Sequence, residues 1–316
     1  FQMIDFKSFS PDLKDKIQLS KDKINEAIQT HKPCVHLVGF SGGGDSMTVC
    51  KLMELLNIPF TAFHCNTGIG IEETRKFVRQ TCFENGWKLF EQMPTSKTYE
   101  DLVLEMGFPG PSQHLQMYAY LKERAIRQIL RYYPKKHDKM ILTGVRTNES
   151  GRRKINATKY IDRKGRQLWV SPILHWDEDD KDEFLDIMNA KTNPVSNCLK
   201  MSGECLCGAY AKKGELEKVK QHYPKAAEQI EELERKVFAK GFTWGWNETP
   251  PTGKEYLKAM EKVHAGYTER YLEKRQAKQL KKTGQLSLFG LCQQCEIKHG
   301  IEESKKESQE NNRLTN

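Results

Sequence analysis

The chain has 316 residues, with 51 lysines and arginines against 42 aspartates and glutamates, a formal net charge of +9. No apolar run approaches the ~20 residues that cross a bilayer, so membrane partners are excluded, and the length suits one large α/β domain or a domain with an appendage. Phe1 to Ser10, followed by Pro11-Asp-Leu-Lys-Asp-Lys, lacks the pattern of a secretory signal; a cytoplasmic protein is expected, its nine cysteines mostly reduced. The positive balance suits polyanions, whether nucleotide or nucleic acid.

In chain order, Leu13, Ile17, Leu19, Ile24 and Ile28 give residues 11–31 the apolar spacing of a leading helix. Strands are predicted near 34–39, 60–65, 87–92 and 139–145, alternating with helices near 45–56, 71–85 and 113–132. That alternation predicts an α/β fold, a doubly wound, mainly parallel sheet with its ligand at the carboxyl ends of the strands. Residues 214–237 and 253–280 read as charged amphipathic helices. Between them, Trp244-Gly-Trp246 reads either as a plug between helices or as a surface that stacks on a base. From Glu302 onward the chain is polar and is expected to be disordered. Boundaries are therefore expected at 1–195 for the α/β domain with its leading helix, 196–300 for a helical C-terminal region with clustered cysteines, and 301–316 for the tail.

Within this frame, Val35-His-Leu-Val-Gly-Phe empties into Ser41-Gly42-Gly43-Gly44-Asp45-Ser46 and then into an apolar helix. Glycines let backbone approach a ligand closely, and the first turn of the helix offers unpaired N–H groups and a positive dipole end, so the segment is an anion cradle. A Walker loop would need Gly-Lys-Ser/Thr, and here no lysine appears until Lys51. A second stretch, Gly144-Val-Arg146-Thr-Asn-Glu149-Ser150-Gly-Arg-Arg153, follows another strand. Arg146 and Arg153 have the planar donors that neutralise phosphate or sulfate oxygens, and Glu149 is placed to hold an arginine or accept from a ribose hydroxyl. Thr67-Gly68 ends a third strand, so three motifs converge on one crevice.

The cysteines divide into two populations. Cys34, Cys50, Cys65 and Cys82 stand singly among apolar residues and read as small packing groups. Cys205-Leu-Cys207 and Cys292-Gln-Gln-Cys295 form two close pairs, and four thiolates in tetrahedral array match either zinc or an iron–sulfur cluster. Cys198 is a spare, an alternative ligand or a sulfur-handling thiol.

The pattern Ser-Gly-Gly-x-Asp-Ser resembles the PP-loop of adenine nucleotide α-hydrolases, and Gly144-x-Arg-x-x-Glu-Ser-x-x-Arg resembles the phosphoadenosine phosphosulfate (PAPS) reductase family. Three further segments extend the likeness. They are His64-Cys-Asn66-Thr67-Gly68 with Glu72-Glu73-Thr74, Pro172-Ile-Leu-His-Trp176, and Gly107-Phe-Pro-Gly110 with Lys122-Glu-Arg beyond. Asn66 stands where the family carries aspartate. The resemblance implies an adenine nucleotide α-hydrolase-like sheet binding ATP, or the sulfated nucleotides PAPS or adenylyl sulfate, with Mg²⁺. It implies nucleotide contacts from Ser41, Gly42, Gly43, Gly44, Asp45, Ser46, Thr67, Gly68, Arg146, Glu149 and Ser150, with Asp45, Arg146 and Arg153 at the chemistry. It also favours a [4Fe–4S] cluster on Cys205, Cys207, Cys292 and Cys295, with Zn²⁺ the alternative.

The activity so implied is an ATP pyrophosphatase or adenylyltransferase type, activating an acceptor for sulfur transfer, with a nucleic acid or a sulfur-donor protein as partner. Sulfonucleotide reduction is the alternative, although reductases carry their nucleophile on a Glu-Cys-Gly-Leu-His segment and no cysteine follows Cys295. A non-catalytic nucleotide-binding accessory protein is the third reading.

Overall fold

The computed structural model describes residues 6–147 and 159–283. These divide into two compact units, one comprising residues up to 240 with 244–250, the other 241–243 and the residues from 251 onward. Residue 195 falls inside the first unit.

The first unit is built on a six-stranded sheet of β1 (His36–Gly39), β2 (Thr61–Cys65), β3 (Lys88–Gln92), β4 (Lys139–Leu142), β5 (Ile161–Lys164) and β6 (Gln167–Val170), in the order β3-β2-β1-β4-β6-β5. Every pairing is parallel except that of the edge strand β5 with β6. Alternation along the strands sends side chains to both faces. Val38, Met140 and Leu142 join a core with Leu13, Ile17 and Phe184, whereas Leu37 and Ile141 join Phe63, Ile126 and Ile129. The sheet is thus doubly wound, as the alternation of elements predicts.

The leading helix α1 (Pro11–His31) is capped by Ser10 Oγ, which accepts from the Leu13 N–H, and ends at Lys32 in a left-handed conformation (φ 44°). Its buried face is Leu13, Ile17, Ser20, Ile24 and Ala27. Leu19, expected in that stripe, is 43% exposed because it lies two positions from Ile17 and so about 160° around the helix. Ser20 donates to Pro172 O (2.7 Å) and accepts from Trp176 Nε1 (3.2 Å), which pins α1 to the Pro172–Trp176 segment.

Next come α2 (Gly44–Leu55), α3 (Glu72–Glu84), α4 (Tyr99–Met106), α5 (His114–Tyr118), a π-helical turn over Ala119–Glu123, and α6 (Arg124–Arg131). Helix α4 has no counterpart in the predicted elements, although Thr98 and Asp101 form a capping box at its start. After β6 follow α7 (Glu178–Ile187), α8 (Pro194–Leu199), α9 (Glu215–His222) and α10 (Pro224–Ala239). The helix predicted over 214–237 is therefore two, since Pro224 has no N–H to continue the ladder.

The second unit contains α11 (Gly253–Val263) and α12 (Tyr267–Thr283). The single helix predicted over 253–280 breaks at Gly266, whose φ of +71° is left-handed. Among the described residues no helix is long and apolar enough to cross a membrane. The tail expected over 301–316 lies outside the described residues.

Candidate functional site

The strand order reverses between β1 and β4, and in doubly wound sheets ligands bind at the carboxyl ends of the strands beside such a switch point. The two motifs that leave these strands meet there. A Cβ on Gly144 would lie 2.6 Å from the carbonyl carbon and oxygen of Asp45, so only glycine lets the segment after β4 pass so close to the first turn of α2. Arg146 Nε donates to Asp45 Oδ1 at 2.7 Å and its NH2 to Glu178 Oε2 at 2.6 Å. Arg146 is only 4% exposed. Burial alone would lower its pKa; the carboxylates, Asp45 foremost, more than offset this and raise it.

The glycine loop is shaped from within. Gly42 has φ +80° and packs against Thr74, Val78 and Asn193. Ser46 Oγ donates to Gly43 O (2.8 Å) and accepts from the Ser41 N–H (3.2 Å), so this serine closes the loop on itself. Gly44 begins α2 with Gly43 as its N-cap, leaving the N–H groups of the first turn for a ligand. The lysine missing from the loop arrives from elsewhere: a Cβ on Gly44 would lie 3.4 to 3.7 Å from Cδ, Cε and Nζ of Lys181 on α7. Lys51, by contrast, is turned away and held by Asn85 Oδ1 (2.6 Å) and Glu54.

The loop after β2 is the third wall. Asn66 Oδ1 accepts from the Gly68 N–H (3.1 Å), an Asx-type turn that sets Thr67-Gly68. Asn66 Nδ2 donates to Glu91 (2.8 Å), a contact that an aspartate's oxygens could not make to a second carboxylate. Glu91 is also forked by Arg79 at 2.7 Å through two nitrogens; Arg79 first and Asn66 second bring its carboxyl to about 2.

Against this loop lies the segment that carries the first cysteine pair. The Ile71 N–H donates to Gly203 O (2.8 Å) and the Leu206 N–H to Ile69 O (2.7 Å), while Thr67 bonds Glu204 through both its N–H (2.9 Å) and its hydroxyl (2.8 Å). Glu204 Oε2 meets His64 Nε2 at 2.7 Å with both side chains buried. Burial would depress the imidazole, but Glu204 raises it, and Nδ1 donates to Phe40 O at 2.8 Å. At its start the segment touches the glycine loop, Ser202 Cβ lying 3.5 Å from where a Cβ on Gly43 would be. Cys205 follows three residues later, at most about 11 Å along the chain.

Cys205 and Cys207 compete for one proton. It stays on Cys207, whose pKa is raised, while Cys205 is lowered by Cys207, with Lys122 and the Cys207 N–H assisting against burial. Lys122 stands on the π-helical turn; burial opposes its charge, and Cys205 and Glu204 more than restore it. Such turns concentrate at functional sites. A cavity of about 240 Å³ lies here, lined by both cysteines, Lys122, His114, Tyr118 and Tyr210.

Trp246 packs behind the cysteine segment at Gly208, and Trp244 against Gly107. Both are buried, and their indoles donate to Phe108 O (2.9 Å) and Leu206 O (2.8 Å). They form the plug, not the base-stacking surface. Cys50 and Cys82 are buried packing groups and Cys65 is half-buried, but Cys34 is exposed because it precedes β1 rather than sitting within it.

The structure thus links the glycine loop to Arg146 through Asp45 and to the cysteine segment through Ser202, and that segment to Thr67 through Glu204, while the cavity at Cys205 and Cys207 is lined by none of the glycine-loop residues. Glu149, Ser150, Arg153, Cys292 and Cys295 lie outside the described residues. Among the described residues no group of three or more His, Cys, Asp or Glu is arranged to hold a metal. Lys181, Glu178, His64 and Glu204 are additions to the candidate site. For Glu204 the sequence carried a local signal, its place beside Cys205; for Lys181 only the fold reveals it.

A glycine-lined anion cradle at the switch point of a doubly wound sheet is the architecture of the PP-loop adenine nucleotide α-hydrolases. Residues 35–197, just over half of the chain, match the model of the phosphoadenosine phosphosulfate reductase domain, and the chain belongs to that family. Solved structures of similar fold include the PAPS reductase of Candida auris in a phosphate complex, with 14% identity over 60% of this chain and 92% of that one at a TM-score of 0.44. The FMN adenylyltransferase of Candida glabrata has 16% identity, 60% coverage of each chain and a TM-score of 0.44. The U34-tRNA thiolase of Methanococcus maripaludis with its [4Fe–4S] cluster has 15% identity over 78% and 88% at a TM-score of 0.40. A comparison with curated proteins returns no match.

Proposed function

We propose that this chain is an ATP-dependent enzyme that adenylylates an acceptor and prepares it for sulfur transfer. The observation that carries this reading is the attachment of the Cys205-Leu-Cys207 segment to the rim of the nucleotide crevice, through Ile69, Ile71 and Thr67. A phosphate cradle with a cysteine pair on the adjoining segment suits two successive displacements, one that expels pyrophosphate as the acceptor is adenylylated and a second in which sulfur expels AMP.

The α2 amides and Ser41 would hold the β- and γ-phosphates as an acceptor oxygen attacks the α-phosphorus and the bond to pyrophosphate breaks. Fixed N–H dipoles aimed at a leaving group stabilise charge as it develops. Arg146 holds Asp45 in place, and Asp45 would bind the Mg²⁺ that screens the phosphates. Glu149, Ser150 and Arg153 continue the Arg146 segment and are assigned to the sugar and the far phosphate oxygens.

Cys205 and Cys207 fit as two ligands of a metal group, since one thiol is already poised to deprotonate. The sequence offers Cys292 and Cys295 as the remaining two. A [4Fe–4S] cluster so held would supply a site for sulfur, whereas zinc would supply structure alone.

The test is an anaerobic preparation analysed for iron, sulfide and zinc, then assayed for pyrophosphate release from ATP with and without nucleic-acid acceptors. Acceptor-dependent pyrophosphate supports the proposal, and Cys205→Ser and Cys292→Ser should lose metal together. Thioredoxin-dependent sulfite release from PAPS without ATP turnover would replace it with sulfonucleotide reduction. Tight nucleotide binding without any turnover would leave an accessory role.

A further inference from the structure

Two cations flank the glycine loop, and one carboxylate bridges them. Arg146 NH2 lies 2.6 Å from Glu178 Oε2, and Lys181 Nζ is hydrogen-bonded to the other oxygen, Glu178 Oε1. The Lys181 stem lies across Gly44, the first residue of α2, and only 12% of that side chain is exposed. An ammonium beside a helix N-terminus opposes the dipole there, so the position is unfavourable unless an anion sits between them. In the free protein that anion is supplied by Glu178, whose own side chain is 61% exposed and able to swing into solvent, and by Asp182 at 3.2 Å. The two cations hold the Glu178 carboxyl below its usual range, Lys181 first and Arg146 after it.

We propose that Lys181 and Arg146 form a clamp for the terminal phosphates of the nucleotide, and that Glu178 occupies the clamp as an internal stand-in until a polyphosphate displaces it. This rests on the ATP reading above and assigns that site a cation which the loop itself lacks. The geometry matches the chemistry on three counts. The two cations bind different oxygens of one carboxylate, a phosphate presents the same kind of oxygens, and the Lys181 stem lies across the first residue of α2. A nucleoside monophosphate, having no β- or γ-phosphate, gains nothing from Lys181.

Calorimetric titration of the full chain with ATP, inorganic pyrophosphate and AMP tests the clamp. Lys181→Met should weaken ATP and pyrophosphate about tenfold or more while AMP stays within about twofold, the size expected for one charge-assisted hydrogen bond. Lys181→Arg should restore most of the affinity. Glu178→Gln should act with the opposite sign, tightening pyrophosphate by about threefold or more, because a competing charge is gone. Should Lys181→Met fail to fold, the sign of the Glu178→Gln effect decides alone. Wild-type affinity in Lys181→Met, an equal loss for AMP, or weaker pyrophosphate binding in Glu178→Gln overturns the clamp. A wild-type protein that binds neither ATP nor pyrophosphate refutes the ATP reading itself, a result recognisable before any variant is made.

Discussion

The glycine loop and the cysteine loop adjoin at Ser202 but are held in opposite ways. The first is local: Ser41, Gly43 and Ser46 close it within six residues, and α2 fixes its exit. The second is held almost wholly from a distance, by Thr67, Ile69, Ile71, Tyr99 and Trp246, on segments far from it in sequence. A loop that makes its own bonds keeps its shape when its surroundings shift. A loop shaped by partners moves when any partner is lost, so nucleotide binding and thiol chemistry should be separable by mutation.

The strongest break in the comparison is Gly144→Val. Its Cβ would strike the Asp45 backbone, which cannot yield as a side-chain tip does. A cost of about 3 kcal/mol or more is expected, read as a lowered melting temperature together with lost ATP binding. Retention of both would show that the β4 exit and α2 are less closely fitted than they stand here. Gly70→Ala is the counterpart on the other side. Its Cβ would overlap the Glu204 carbonyl, displacing the cysteine segment while leaving the glycine loop intact. Metal content and Cys205 alkylation should change markedly, with ATP affinity within about twofold of wild type. Equal damage to ATP binding would mean that the two loops are one cooperative unit.

A gentler probe is Trp246→Phe, which keeps the buried ring but deletes the bond from Nε1 to Leu206 O. The orphaned carbonyl should cost about 1 to 3 kcal/mol. The more specific readout is Cys205 itself. Its thiol is lowered below the usual thiol range, so iodoacetamide should alkylate it at neutral pH in metal-free protein, whereas Cys50 and Cys82, pushed up by burial, stay inert there. Loosening the segment should move the Cys205 profile upward, as the Cys207 and Lys122 contacts weaken.

The same contrast explains what the sequence displayed. The first four strands, the α2 start and the glycine loop were legible because their causes are local, apolar runs, glycines and caps within a few residues, whereas the short strands β5 and β6 were not predicted. The chain positions of α1 and α3 follow from spacing in the same way. The Pro224 and Gly266 breaks were also written locally, but the charged periodicity on either side masked them. Lys181 was hidden for a different reason. Nothing in Asp179-Asp180-Lys181 distinguishes it from an exposed charge run until β1, β4 and α7 are placed around Gly44. Lys122 likewise acquires meaning only because a π-helical turn sets it beside thiols more than eighty positions away.

Asn66→Asp gives the smallest effect and the sharpest sign. The variant restores the family's residue, yet here it puts a carboxylate where the amide now donates to Glu91. Arg79 already holds Glu91 ionised down to about pH 2, so the new aspartate would face a fixed negative charge and have its own pKa raised by repulsion. A carboxyl raised in the folded state destabilises where it is ionised and ceases to do so once protonated. The variant should therefore lose about 1 kcal/mol at pH 8, with the deficit shrinking as pH falls through the raised pKa of the new carboxyl. Urea melts at pH 8 and pH 4 measure the difference. A deficit independent of pH would mean that the lost Asn66 hydrogen bond, not the charge of Glu91, sets the preference for asparagine, and that this loop, like the glycine loop, is shaped by geometry more than by electrostatics.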